Sequence, residues 1–286
     1  MTVEDTLSLV LWTSFLFSGV GATLYLHKVF GVLVVSQATV MSLAALVDVA
    51  TIRSGASPIL GTLGACIVGL LLGGLHVPLL IRLGGPLLLI VTVVLHMLLT
   101  QLWYALPWLT GGSGGLLLTG NSSIYSSLLA FVLATSTSLW MTGQTSNLSV
   151  DNALLRRLGP NAGVFGRPAE QRYWKGFVSY GLVLGAAATT AVRMSGYLAV
   201  DSFSLSWSLA VLMIALAVGE NWWPKALGLS LGYAALRVIL RQSIAASSTV
   251  SHIFELGFPL LLLTMIIYSN RGDLREGSRE NEQPLF

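Results

Sequence analysis

The chain has 286 residues, of which 54% are hydrophobic and 9% charged, with a formal net charge of +3. Charged groups make up about a quarter of an average soluble domain, so this composition, with a mean hydropathy of +0.78, excludes an ordinary soluble fold and points to an all-α, polytopic transmembrane bundle. The basic residues sit at the ends of apolar runs and form no stripe with interleaved aromatics, which excludes a nucleic-acid interface, and the single cysteine, Cys66, leaves neither a disulfide nor a thiolate metal site.

A bilayer crossing needs about 20 apolar residues at 1.5 Å rise each. In chain order nine stretches qualify: Leu7–Leu26, Phe30–Thr51, Ile59–Ile81, Pro86–Trp108, Ile124–Thr142, Gly176–Val200, Leu205–Val218, Ala226–Leu240 and Ile253–Tyr268. The first is expected to be retained, because acids (Glu4, Asp5) precede it and no small-x-small site lies ahead of His27–Lys28. Leu205–Val218 and Ala226–Leu240 are short and could together form one re-entrant element, giving eight or nine spans. Residues 1–269 read as the transmembrane domain, and Asn270–Phe286 as a polar tail of disordered composition. Glycines recur at four-residue spacing in Gly69/Gly73, Gly181/Gly185 and Gly228/Gly232. In lipid such pairs let helix backbones approach closely, so all three are expected at helix contacts.

No Asp, Glu, Lys or Arg occurs over the 68 residues Leu83–Val150, and then seven charges arrive by Lys175: Asp151, Arg156, Arg157, Arg167, Glu170, Arg172 and Lys175. Lipid is the natural solvent of the first stretch and water that of the second. With the 151–175 loop in the cytoplasm, alternation of the spans places eleven Lys and Arg on that side and leaves Arg53 and Arg241 at the outer margin. The positive-inside rule then puts the N-terminus outside the plasma (inner) membrane and the C-terminus inside.

Catalytic signatures are missing. There is no G-x-x-x-x-G-K-[ST] and no H-E-x-x-H, no G-x-S-x-G elbow stands out, and His27, His76, His96 and His252 are isolated from one another. The chain reads as a non-enzyme with no cofactor. Its remaining chemistry lies in polar residues inside apolar spans: Gln37, Asp48, His96, Gln101 and Arg193. An ionised group there costs roughly 2.5–3.5 kcal/mol on insertion scales. These residues must therefore pair with one another across helices or line a wet solute pathway. Arg237 also falls within a span, and Asp48 and Glu255 stand near span ends.

Four local patterns, in order, resemble the inner-membrane permeases of branched-chain-amino-acid-type ABC importers, a group that includes sugar and nucleoside permeases. They are Phe30-Gly31-Val32 ahead of a long apolar span, and Leu109-Thr110-Gly111-Gly112-Ser113-Gly114-Gly115-Leu116, similar to an external T-G-G-x-x-G-L loop. The third is Arg156-Arg157-Leu158-Gly159-Pro160-Asn161-Ala162 with Phe165-Gly166. The fourth is the small-residue span Ser179–Val200 followed by Gly219-Glu220 and the Gly228/Gly232 helix. Val164-Phe165-Gly166-Arg167-Pro168 departs from the usual A-A-R-x-x-G-I, and Trp222-Trp223-Pro224-Lys225 replaces a glycine-rich turn.

The resemblance implies that the 151–175 loop docks on a cytoplasmic ATPase through Arg156, Arg157, Gly159, Asn161, Phe165, Gly166 and Arg167. It also implies a second permease subunit, an extracytoplasmic solute-binding protein, and import of a small polar or amphipathic solute such as an amino acid. A secondary carrier or channel working without an ATPase is the rival expectation. It predicts broken helices at matching positions in two inverted halves.

Overall fold

The computed structural model describes residues 3–118, 167–218 and 222–243, with the single positions 132, 135, 136, 139, 140, 257 and 264. Most of the expected spans Ile124–Thr142 and Ile253–Tyr268, and the 270–286 tail, lie outside the described residues.

Helix α1 (Val3–Phe30) passes through the non-helical residues Gly31–Ser36 into α2 (Gln37–Arg53). Helices α3 (Pro58–Gly84) and α4 (Leu87–Ala105) follow, separated at Gly84, where φ 76° and ψ 169° interrupt the helical run. A single turn (Pro107–Thr110) and a glycine-rich loop lead to strand β1 (Leu116–Leu117). The later elements are α5 (Arg167–Ser195), strand β2 (Tyr197–Leu198), a 3-10 turn (Val200–Phe203), α6 (Leu205–Ala217) and α7 (Trp222–Ser243). Apart from these two short strands, the regular structure of the described residues is helical. Among the described residues three helices, α3, α4 and α5, are long and apolar enough to cross a membrane.

Helix α5 is the axis of the bundle. Its apolar span is 78% buried, against 39% for α3 and 22% for α4. The reason is its small-residue content, which lets neighbours close in. Gly69 and Gly73 of α3 lie on Gly181, and Gly185 lies on Ala65, where a Cβ would stand 2.5 Å from the Ala65 carbonyl oxygen. A Cβ on either Gly69 or Gly181 would overlap the carbonyl of the other. Two of the three glycine pairs thus meet each other. The third does not behave as expected: Gly228 and Gly232 are exposed on α7, and a Cβ at either meets no described atom within 4 Å.

Contacts to α2 fix the direction of its neighbours. Gly61 and Gly64 of α3 abut Asp48 and Val47 near the C-terminal end of α2. On α4, Thr92 and His96 reach Val35 and Thr39 at its beginning. Helices α3 and α4 therefore run in opposite senses as a hairpin turned at Gly84. Ser57 caps α3 by accepting from Leu60 N at 3.4 Å, with Pro58 in the first turn, where a missing N–H costs nothing. One end of the bundle gathers Arg53, Pro58, the glycine-rich loop and Arg193. The Gly84 turn and the Arg167 start of α5, where Trp174 covers Gly74, lie toward the other end.

The stretch Phe30–Thr51, expected to be one continuous span, is helical only from Gln37 onward. Gly31, at φ 68°, ends α1. The run Val32-Leu33-Val34-Val35 is rich in β-branched residues with poor helix propensity, and Ser36 precedes the new helix.

Candidate functional site

The unwound segment lies inside the bundle. Val32, Val34, Val35 and Ser36 are buried, and so are Gln37 and Ala38, which open α2. Ser36 touches Tyr180, nine residues (about 13 Å of helix rise) in from Gln171, where the apolar span of α5 begins. Non-helical backbone at that depth needs partners other than the next helical turn. Hydroxyl side chains supply them: Val35 N donates to Thr92 Oγ1 of α4 at 3.2 Å, and Ala38 N donates to Ser208 Oγ of α6 at 2.9 Å.

Among the described residues, the side chains that hydrogen-bond at this segment and at the start of α2 are uncharged. The Ser36 hydroxyl lies 3.1 Å from Tyr180 Oη, so it does not cap α2. Gln37 Nε2 donates to Thr23 Oγ1 of α1 at 2.8 Å and to Val34 O at 3.0 Å, and this bends the side chain back along the unwound segment. Its amide oxygen, Oε1, is buried and has no hydrogen-bond partner among the described residues. Five helices and the segment itself thus contribute Thr23, Ser36, Gln37, Thr92, Tyr180 and Ser208 to one buried polar neighbourhood.

A packed aromatic group closes the start of the segment. The Phe30 ring lies 5.1 Å from that of Tyr173 and 5.9 Å from that of Tyr25, centroid to centroid. His76 stacks on Phe177 at 5.9 Å and meets Tyr180 edge-on at 6.3 Å, while its Nδ1 donates to Leu72 O at 2.6 Å. His76 is therefore a packed, hydrogen-bonded residue within this wall.

The residues expected to line a pathway are not all brought together. Gln37 belongs to the polar neighbourhood, and His96 is buried close to it, with Nδ1 3.3 Å from Thr39 Oγ1. Asp48 and Arg193 pair with each other at the far end of the bundle. Arg193 Nε lies 3.1 Å from Asp48 Oδ2, and Nη2 lies 2.6 Å from Oδ1. Nη2 also reaches Pro58 O at 2.6 Å and Thr62 Oγ1 at 2.8 Å, which ties α2, α3 and α5 into one knot. Both side chains are fully buried. Gln101 is exposed on α4, away from the other four.

Of the coupling residues, Arg167 is the first residue of α5. Arg156, Arg157, Gly159, Asn161, Phe165 and Gly166 lie outside the described residues. The glycine-rich loop is ordered by its own turn chemistry: Gly111 and Gly115 take left-handed φ values of 76° and 67°. Tyr197 Oη donates to Gly114 O at 2.9 Å, and β1 pairs antiparallel with β2, so the loop is fastened to the end of α5.

Thr23, Ser36, Thr92, Tyr180 and Ser208 were not singled out from the sequence. Hydroxyls are plentiful in it, and nothing local distinguishes one that meets unwound backbone from one that bonds back into its own helix, as Thr51 does to Val47 O. The usable signal was the run from Gly31 to Ser36 itself. No protein-family model, no curated protein and no solved structure matches the chain.

Proposed function

We propose that the chain is the membrane-spanning permease subunit of an ABC importer that moves a small polar or amphipathic organic solute, with amino acids among the candidates. In this reading the chain crosses the plasma (inner) membrane eight or nine times, with its N-terminus outside and its C-terminus inside. It works with a second permease subunit, a cytoplasmic ATPase and an extracytoplasmic solute-binding protein.

The observation that carries a transport role is the unwound Gly31–Ser36 segment, buried at Val32 and from Val34 to Ser36, with its uncharged polar neighbours. A continuous helix would satisfy its own backbone, and an anchor or scaffold gains nothing from interrupting it. The ATPase partnership rests on the resemblance of the 151–175 loop. It is supported by the position of α5, which starts at Arg167 within that loop and is the most buried of the three long apolar helices. A push on the loop would therefore be delivered to the bundle's interior.

A self-sufficient carrier is the second reading, and the same interrupted segment favours it. Against it, Asp48 is held bidentately by Arg193 and is not a free carboxylate for proton or cation coupling. Proteoliposomes separate the two. Uptake that needs a co-purifying ATPase and ATP supports the importer. Uptake by the chain alone, driven by an ion gradient, overturns it.

A further inference from the structure

We infer that the junction of Gly31–Ser36 with the start of α2 is a solute-contact site, and that it takes an uncharged, hydroxylated group that donates a hydrogen bond to Gln37 Oε1. The inference rests on the transport reading and adds the chemical class of what the site admits.

Three observations converge on it. Gln37 is fully buried, its Nε2 is committed to Thr23 and Val34, and its Oε1 accepts from nothing among the described residues. A buried amide oxygen left unpaired is costly, so the site is complete only when a donor arrives. One backbone N–H of the unwound segment and one of the first turn of α2 are met by side chains from α4 and α6, and those contacts are made by single hydroxyls that a solute hydroxyl could replace at small cost.

The third observation sets the charge. Thr23, Ser36, Thr92, Tyr180 and Ser208 offer no ionised group. The nearest ion pair on α2, Asp48–Arg193, is eleven residues along the helix from Gln37, about 16 Å, and is internally neutralised. An ion would enter such a neighbourhood without a counter-charge, which is the expensive case. The start of α2 adds a partial positive charge that further disfavours a cation. An alcohol fits: its O–H meets Oε1, and its oxygen can accept from a neighbouring hydroxyl.

Cysteine labelling tests this with defined probes. Thr92→Cys and, separately, Ser36→Cys are made in a Cys66→Ala background, checked for monodispersity and placed in lipid nanodiscs as the chain alone. Each is treated with 2-hydroxyethyl, 2-sulfonatoethyl and 2-(trimethylammonium)ethyl methanethiosulfonate, three small reagents that are neutral, anionic and cationic. Rates are normalised to the exposed Lys175→Cys. The neutral reagent should react at least about tenfold faster than either ion, given the cost of bringing a charge into an uncharged, dehydrated site. Adding Gln37→Leu should slow the hydroxyethyl reagent several-fold without altering the rate at Lys175→Cys. Equal rates for the three reagents would overturn the selectivity for uncharged groups. Inert cysteines at both positions beside a reactive Lys175→Cys would show a dry packing site and overturn the inference. Because no ATPase takes part, a failed coupling partnership leaves this result readable, and a dry site leaves the co-purification result untouched.

Discussion

Gly176 lies flat against the ring of Phe30, so closely that a Cβ at position 176 would enter it. The contact joins the beginning of the most buried helix, α5, to the last residue of α1, one residue before the backbone unwinds at Gly31. Helix α5 thus packs directly on the residue that precedes the unwound segment.

Gly176→Val should destabilise the bundle by the usual cost of overpacking, about 1–3 kcal/mol. Phe30→Leu should restore part of that loss, because it removes the atoms that the new side chain meets. Thermal melting of the two single variants and the double variant measures the coupling. Strictly additive losses would mean that position 176 acts independently of Phe30.

Arg193→Met leaves Asp48 buried without its partner and is expected to cost about 3–5 kcal/mol, whereas Asp48→Leu combined with Arg193→Met should cost less than Arg193→Met alone. The same melting assay reads this. A double variant worse than both singles would show that the pair contributes more than mutual neutralisation, for example through the Arg193 contacts to Pro58 and Thr62.

The glycine pairs should differ in tolerance. Gly181→Val drives a side chain into the Gly69 carbonyl and should prevent the α3–α5 contact, with loss of monodisperse protein. Gly228→Ala meets no described atom within 4 Å and should be neutral or stabilising by about 0.4–1 kcal/mol, through reduced freedom of the unfolded chain. Size-exclusion profiles and melting midpoints of the two variants decide it, and a collapse caused by Gly228→Ala would reveal a partner on that face.

Phe165→Ala tests the ATPase partnership. A buried aromatic anchor is worth about 2 kcal/mol or more on truncation, roughly a 30-fold weakening of ATPase binding, while the bundle itself should melt at its usual temperature. Pull-down of the ATPase by the two forms is the measurement. Equal recovery of the ATPase, with equal ATP-dependent uptake, would place the docking contact elsewhere.

The apolar character, the long apolar helices and the small-residue faces of α3 and α5 were legible in the sequence because each rests on a strong local signal: uncharged runs, helix-length apolar stretches, and glycines spaced four apart; which two faces meet was not. Gly228/Gly232 carried the same signal, yet no described residue lies on that face: spacing reveals that a face is smooth but not what meets it. Asp48 and Arg193 were legible as costly residues, but their pairing across 145 positions was not. Nothing in either neighbourhood encodes the other. Gln101 shared their apolar context and is exposed, because polarity within a span does not specify which way a helix face turns. The interruption at Gly31–Ser36 was hidden by hydrophobicity: Val and Leu support an apolar span whether the backbone is wound or not.

That interruption has a consequence for reach. Six residues can span at most about 20 Å when drawn out, and the same six wound into helix would rise about 9 Å. The link between α1 and α2 can therefore reach farther than the same residues would as continuous helix. What limits the position of α2 is therefore its side-chain ties, Gln37 to Thr23, Thr39 to His96 and Asp48 to Arg193, and not the length of the link.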